Sequence, residues 1–106
     1  MQINRKNGLT FSFVDTSDIQ LVKDTICENT KAIFIETPSN PTMLVTDIRA
    51  VSGLTKEKGI LLIVDNTFLT PYFQKPLKLD ADIVMHSGTK YLGGHNDVLC
   101  GFLVVK

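Results

Sequence analysis

A chain of 106 residues is one domain or part of one, able to bury a core but with less margin than a full-size domain. Its 11 lysines and arginines balance 11 aspartates and glutamates, so no field of either sign draws it to nucleic acid or to an anionic membrane. The longest apolar run, Ile60-Leu61-Leu62-Ile63-Val64, is far too short to span a bilayer. The polar start at residues 1–7 lacks the apolar core of a signal peptide. Cys27 and Cys100 form neither a paired-ligand motif nor a disulfide framework; they read as small buried apolar residues, and a reducing cytosol is the expected compartment.

In chain order, strand and helix signals alternate, which predicts an α/β fold. Residues 8–14 alternate Leu9, Phe11 and Phe13 with small polar partners, as a half-buried strand would. Ser17 with Gln20 three residues on is a capping-box pattern, and Ile19, Val22 and Ile26 follow at helical spacing, predicting a helix over 18–27 that fades near Asn29. Ala32-Ile33-Phe34-Ile35 is the next strand, ending at Glu36. Pro38 and Pro41 then exclude regular structure. Asp47 caps a helix over 48–58 whose apolar face is Ile48, Val51 and Leu54; Lys56 and Lys58 favour its C-terminal end and Gly59 stops it.

Residues 60–64 form the third strand, with Asp65 at its end, and 81–86 the fourth. The strand, helix and strand from Ala32 to Val64 make a βαβ unit, so these strands run parallel. The last strand, 99–105, differs: only about ten residues (88–97) precede it, and a parallel crossover needs a dozen or more. It is expected to run antiparallel. The sheet is therefore mixed and mainly parallel.

Polar clusters fall just past the C-terminal ends of successive parallel strands: Ser39-Asn40, Asp65-Asn66-Thr67 and Ser87-Gly88-Thr89-Lys90. Open α/β sheets bind ligands along that edge. Asp65 follows an apolar run, where burial disfavours a carboxylate unless a cation is near; a turn carboxylate binding backbone N–H groups is the other reading. Lys90 precedes Tyr91-Leu92, so partial desolvation would ease loss of its proton, as a Schiff-base lysine requires. A loop lysine in water is the alternative. Ser87 and Thr89 flank a flexible Gly88 and can point at one phosphate or satisfy a turn. His86 and His95 lack metal-ligand spacing, and no metal is expected.

Three ordered strings, Glu36-Thr37-Pro38-Ser39-Asn40-Pro41, Val64-Asp65-Asn66-Thr67-Phe68 and His86-Ser87-Gly88-Thr89-Lys90-Tyr91-Leu92-Gly93-Gly94-His95, resemble the trans-sulfuration (Cys/Met-metabolism) family of enzymes that use pyridoxal phosphate. The intervals from Asn40 to Asp65 and from Asp65 to Lys90, 25 residues each, also match it. The resemblance implies that residues 1–106 are the central part of a fold-type I transferase large domain, with the N-terminal arm and C-terminal domain absent. It implies that Lys90 carries pyridoxal 5'-phosphate covalently and that Asp65 pairs with the pyridinium nitrogen. Ser87 and Thr89 would bind the phosphate, Asn40 would lie beside the ring's phenolic oxygen, and Thr67 is a further contact. Gly88 departs from relatives that carry alanine or another small residue there, with no effect expected on the chemistry.

The implied reaction is elimination or replacement at the β or γ carbon of a sulfur amino acid or homoserine ester, leaning to γ chemistry. The implied partners are a small amino-acid substrate and further copies of the chain in a homotetramer, with no nucleic acid and no membrane. Substrate choice lies mostly in parts outside these residues, so the 106 residues alone are expected to be inactive. Other classes stay open: a small phosphate- or nucleotide-binding α/β module without covalent chemistry, or an inactive structural piece.

Overall fold

The computed structural model describes residues 7–106; the polar start read at 1–7 lies outside them except for Asn7. The elements are α1 (Ile19–Thr25), β1 (Ala32–Glu36), α2 (Ile48–Lys58), β2 (Leu61–Asp65), a short helix α3 (Thr70–Phe73), a 3-10 turn (Pro76–Leu79), β3 (Ile83–Ser87) and β4 (Gly101–Val105). One sheet has the order β1-β2-β3-β4. β1, β2 and β3 are parallel, and β4 runs antiparallel to β3 with Ile83 opposite Val105. The mixed, mainly parallel α/β sheet is as the sequence predicts, including the reversed last strand.

Alternation along β2 and β3 sends Leu62, Val64 and Val84 to one face, where they meet Ile35 of β1, Ile48 and Val51 of α2, and Ala81. This is the core, and Leu62, Val64 and Val51 are wholly buried in it. Asp47 caps α2 by accepting from Ala50 N at 3.0 Å, which satisfies an N-terminal donor the helix cannot pair itself. Gly59 closes the other end in the left-handed conformation, φ 66°. Asp80, after the 3-10 turn, bonds Lys56 of α2 and Lys106 beyond β4 at 3.0 Å each. The paired ammonium groups hold its carboxyl below the ordinary value.

Several local readings shift. Residues 9–15 form no strand: Leu9, Phe11 and Phe13 are exposed. An alternating pattern supplies a face but not a ladder partner. Thr16 instead meets Thr46 hydroxyl to hydroxyl at 2.7 Å. Asp18, not Ser17, caps α1, accepting from Gln20 N at 2.9 Å and Leu21 N at 3.3 Å, because Asp15 takes the Ser17 hydroxyl at 2.6 Å. α1 ends at Thr25, and Ile26 is already extended. Along α2 the buried stripe is Ile48, Val51, Ser52 and Thr55, with Leu54 only half-buried.

β2 begins at Leu61 rather than Ile60, and β4 at Gly101 rather than Leu99. β3 begins at Ile83, because Ala81 N donates to Pro76 O (3.0 Å) and Asp82 Oδ2 accepts from Leu62 N (2.8 Å). Cys27 is exposed and Cys100 half-buried, since Cys27 lies past the end of α1, where its thiol donates to Asn29 Oδ1 at 2.9 Å. Among the described residues no helix is long and apolar enough to cross a membrane.

Leu62 is 0% exposed between β1, β3 and α2. Leu62→Ala in the intact protein should therefore cost about 2–5 kcal/mol in urea denaturation. A loss within experimental error would mean that the helix and sheet are not packed as described.

Candidate functional site

The C-terminal ends of β1, β2 and β3 lie side by side, with Glu36 opposite Asp65 and Asp65 opposite Met85. These strand ends and the loops that leave them carry every site residue the sequence picked out.

Asp65 is half-buried at the end of β2. Its Oδ1 accepts from Thr67 N at 2.9 Å and from the Thr67 hydroxyl at 2.6 Å. The same Thr67 oxygen accepts from Ser87 N at 2.8 Å. One hydroxyl thus orients the carboxylate and ties the end of β2 to the end of β3. Asp65 Oδ2 takes no hydrogen bond among the described residues, so the carboxylate can still meet a cation. The turn reading and the cofactor reading of Asp65 are therefore compatible, one for each oxygen.

Ser87 and Thr89 flank Gly88, the first residue of a wide turn, Gly88–Leu92, closed by Gly93 N on Gly88 O (2.8 Å) and Gly94 N on Lys90 O (2.8 Å). The Ser87 hydroxyl has no partner among the described residues, whereas Thr89 Oγ1 donates to Cys100 O at 3.3 Å and accepts from Cys100 N at 3.1 Å. The donated bond is long. The Thr89 hydroxyl can rotate toward an anion and keep the bond it accepts.

Lys90 is exposed, as are Tyr91 and Leu92. The expected partial desolvation of its amine is not present here, because the neighbours meant to provide it face solvent themselves. Tyr91 nonetheless packs edge to face on Phe68, ring centroids 6.3 Å apart. That contact brings the lysine turn against the segment that carries Asp65.

Gly88 is buried, and a Cβ there would fall 2.5 Å from Phe102 Cε2 and closer still to Cys100 Sγ. A glycine lets these β4-side chains lie against the turn, so an alanine would require them to shift.

Asn40 is exposed beyond β1. Its N–H donates to Glu36 Oε2 at 3.2 Å, and its carboxamide is unpaired among the described residues. His86 is buried and lines a cavity of about 230 Å³ with Asn66, Gln74, Pro76, Val84 and Val104. His95 is exposed, its Nδ1 3.0 Å from Gly93 O. Among the described residues no group of three His, Cys, Asp or Glu side chains could hold a metal ion.

The sequence reading placed Asn66 in a polar cluster without giving it a role, and it missed Gln74. Asn66 is 0% exposed, and its Nδ2 donates to Thr70 O (3.0 Å) and Gln74 O (2.9 Å). A carboxamide directly after an apolar strand was the available signal for Asn66. Gln74 had none, because its partners come from two separate loops.

The donor set fits pyridoxal phosphate: a carboxylate with one free oxygen for the pyridinium, an unpaired amine, and two hydroxyls beside a glycine turn for the phosphate. The comparisons with known proteins point the same way. A family model described as Cys/Met metabolism PLP-dependent enzyme matches residues 1–106. The chain is 59% identical over 102 residues to a cystathionine gamma-synthase/O-acetylhomoserine (thiol)-lyase of Bacillus subtilis (strain 168), covering 96% of the chain and 27% of that relative. It is 49% identical over 100 residues to an L-methionine gamma-lyase of Fusobacterium nucleatum, covering 93% of the chain and 25% of the relative. A solved cystathionine gamma-lyase from Lactobacillus plantarum, complexed with L-serine, superposes with a TM-score of 0.97 at 48% identity over 99% of this chain and 28% of its own. The chain spans about a quarter of the length of the curated relatives it matches. By the match of its whole length, it belongs to the PLP-dependent enzymes of Cys and Met metabolism.

Proposed function

We propose that this chain holds the cofactor in an enzyme of trans-sulfuration, one that eliminates or replaces a group at the β or γ carbon of a sulfur amino acid or homoserine ester. The observation that carries the reading is the Asp65 carboxylate, fixed through Oδ1 by Thr67 and free at Oδ2, on the same sheet edge as Lys90 and Ser87. Relatives named for cystathionine and methionine chemistry support the substrate class.

Pyridoxal phosphate, when bound, supplies an electron sink for the charge that develops at the substrate's α carbon. Lys90 would hold the cofactor, and as a free amine would move protons at the substrate's α and β carbons. Asp65 keeps the ring nitrogen protonated by direct charge pairing, and Thr67 aims that carboxylate. Ser87 and Thr89 bind the phosphate, and Asn40 contacts the ring's phenolic oxygen. The working protein is proposed to be a cytosolic homotetramer, a dimer of dimers, in which these residues are the centre of the large domain. Selection among lyase and synthase reactions, and between β and γ carbons, rests on residues outside this chain, and the 106 residues alone are proposed not to turn over.

Borohydride reduction of the intact holoenzyme followed by peptide mapping should place the pyridoxyl group on Lys90. A label on Lys75 or Lys78 with Lys90 bare would overturn the assignment. Asp65→Asn should retain the cofactor while turnover collapses, because a neutral partner no longer favours ring protonation; near-normal turnover would reduce Asp65 to a turn residue. Thr67→Val leaves Ser87 N–H without its acceptor and the Asp65 carboxylate held only by the backbone N–H of residue 67, a loss of about 1–3 kcal/mol that should also lower turnover. Thr67→Ser keeps the hydroxyl and should stay near wild type in both thermal unfolding and rate. Equal behaviour of the serine and valine variants would show that the hydroxyl orients nothing.

A further inference from the structure

The loops that carry Asn40 and Asn66-Thr67 leave adjacent parallel strands, whose ladder ends with Glu36 opposite Asp65. Ladder hydrogen bonds do not fix the spacing of loops beyond their last pair. The geometry points to Gln74 as the positioning residue that sets it, a role that rests on the reading of the site just given.

Gln74 Nε2 donates to Thr37 O at 3.1 Å, on the segment leading to Asn40, and to Asn66 Oδ1 at 2.8 Å, between Asp65 and Thr67. Both ends are anchored. Thr37 is 1% exposed and its Oγ1 accepts from Thr46 N at 2.9 Å. Asn66 is 0% exposed; its N–H donates to Met85 O at 2.8 Å, and its Nδ2 returns a bond to Gln74 O at 2.9 Å. The Gln74 side chain therefore joins the β1 loop, the β2 loop and, through the Asn66 backbone, β3.

The chemistry of the bridge requires an amide. Both acceptors are oxygens, and the Thr37 carbonyl cannot reverse its role, so one nitrogen with two N–H groups serves both. A methionine fills the volume without a donor. A glutamate of the same shape sets a carboxylate against the Thr37 carbonyl and regains a donor only when protonated. A tie that merely stabilised the α3 turn would change unfolding but not the rate of folded enzyme. A spacer between the Asn40 segment and the Asn66-Thr67 turn that aims Asp65 changes the rate, because catalytic groups tolerate little displacement.

The test compares wild type, Gln74→Met and Gln74→Glu as intact enzyme loaded with pyridoxal phosphate, following Lys90 labelling by borohydride, thermal unfolding, and kcat and KM across pH. Gln74→Met should keep the label on Lys90 while kcat falls roughly 10- to 100-fold, with KM moving far less. The kcat of Gln74→Glu relative to wild type should be low at alkaline pH. It should recover as pH falls through the carboxyl titration, since the acid form donates. Wild-type kcat in Gln74→Met, whatever its melting temperature, overturns the proposal. If Gln74→Met does not fold, the glutamate variant decides: recovery with falling pH upholds the bridge, and a pH-independent ratio overturns it. A wild-type enzyme with Lys90 unlabelled overturns the site reading, and the positioning role with it. Labelled Lys90 with an indifferent Gln74 overturns the positioning role alone.

Discussion

The Thr67 hydroxyl sits 2.6 Å from Asp65 Oδ1 and 2.8 Å from Ser87 N, and it is the junction on which the C-terminal edge of the parallel strands is organised. Parallel strands pair through slanted bonds that stop where the ladder stops. Beyond Asp65 and Met85 there is no further β2–β3 pairing. One oxygen, donating to one strand's carboxylate and accepting from the other's amide, continues that junction by a single step into the loops. The Phe68–Tyr91 contact then extends it to the lysine turn. A methyl group in place of the hydroxyl would preserve the shape and lose both links.

The same sheet is asymmetric across its thickness. Ile35, Leu62, Val64 and Val84 are covered by α2 and its neighbours. On the opposite face Phe34, Leu61, Leu103 and Val105 are exposed, from 48% at Leu61 to 70% at Leu103. Parallel α/β sheets ordinarily bury both faces, and a chain that spans about a quarter of its relatives carries the helical cover for one. The exposure of Lys90 belongs with this: its turn is shaped by backbone bonds that the chain makes for itself, while its amine faces solvent.

How much of this could be read beforehand follows from the range of each interaction. Strand directions, the βαβ unit and the reversal of β4 were legible because they rest on local apolar runs and connection length. The Asp47 and Gly59 caps were legible for the same reason. The strand expected at 8–14 failed because pairing is decided by a partner the pattern does not contain. The capping box failed because Asp15, two residues upstream, competes for Ser17. Every position proposed for the site falls at or just past the C-terminal ends of the parallel strands, since strand ends are local features. Gln74 was invisible, because its partners are Thr37, 37 residues away, and Asn66, 8 residues away, and no local pattern joins them.

The division of labour within the site explains why such a set of polar groups can be held ready without folding to satisfy itself. Asp65 is fixed through one oxygen, Asn40 through its backbone N–H, and Lys90 through its carbonyl. Asp65 Oδ2, the Asn40 carboxamide, the Ser87 hydroxyl and the Lys90 amine remain unpaired among the described residues. An unpaired polar group is costly when dry, but Asn40 and Lys90 are exposed and Asp65 and Ser87 half-buried, so water can satisfy them. The wholly buried polar side chains nearby, Asn66 and Thr37, are the ones with their partners fixed. The buried His86 Nδ1, which has no partner among the described residues, is the exception; elsewhere burial separates structural polar groups from those left free to bind, and a ligand that displaces water at this edge meets groups already oriented by the backbone behind them.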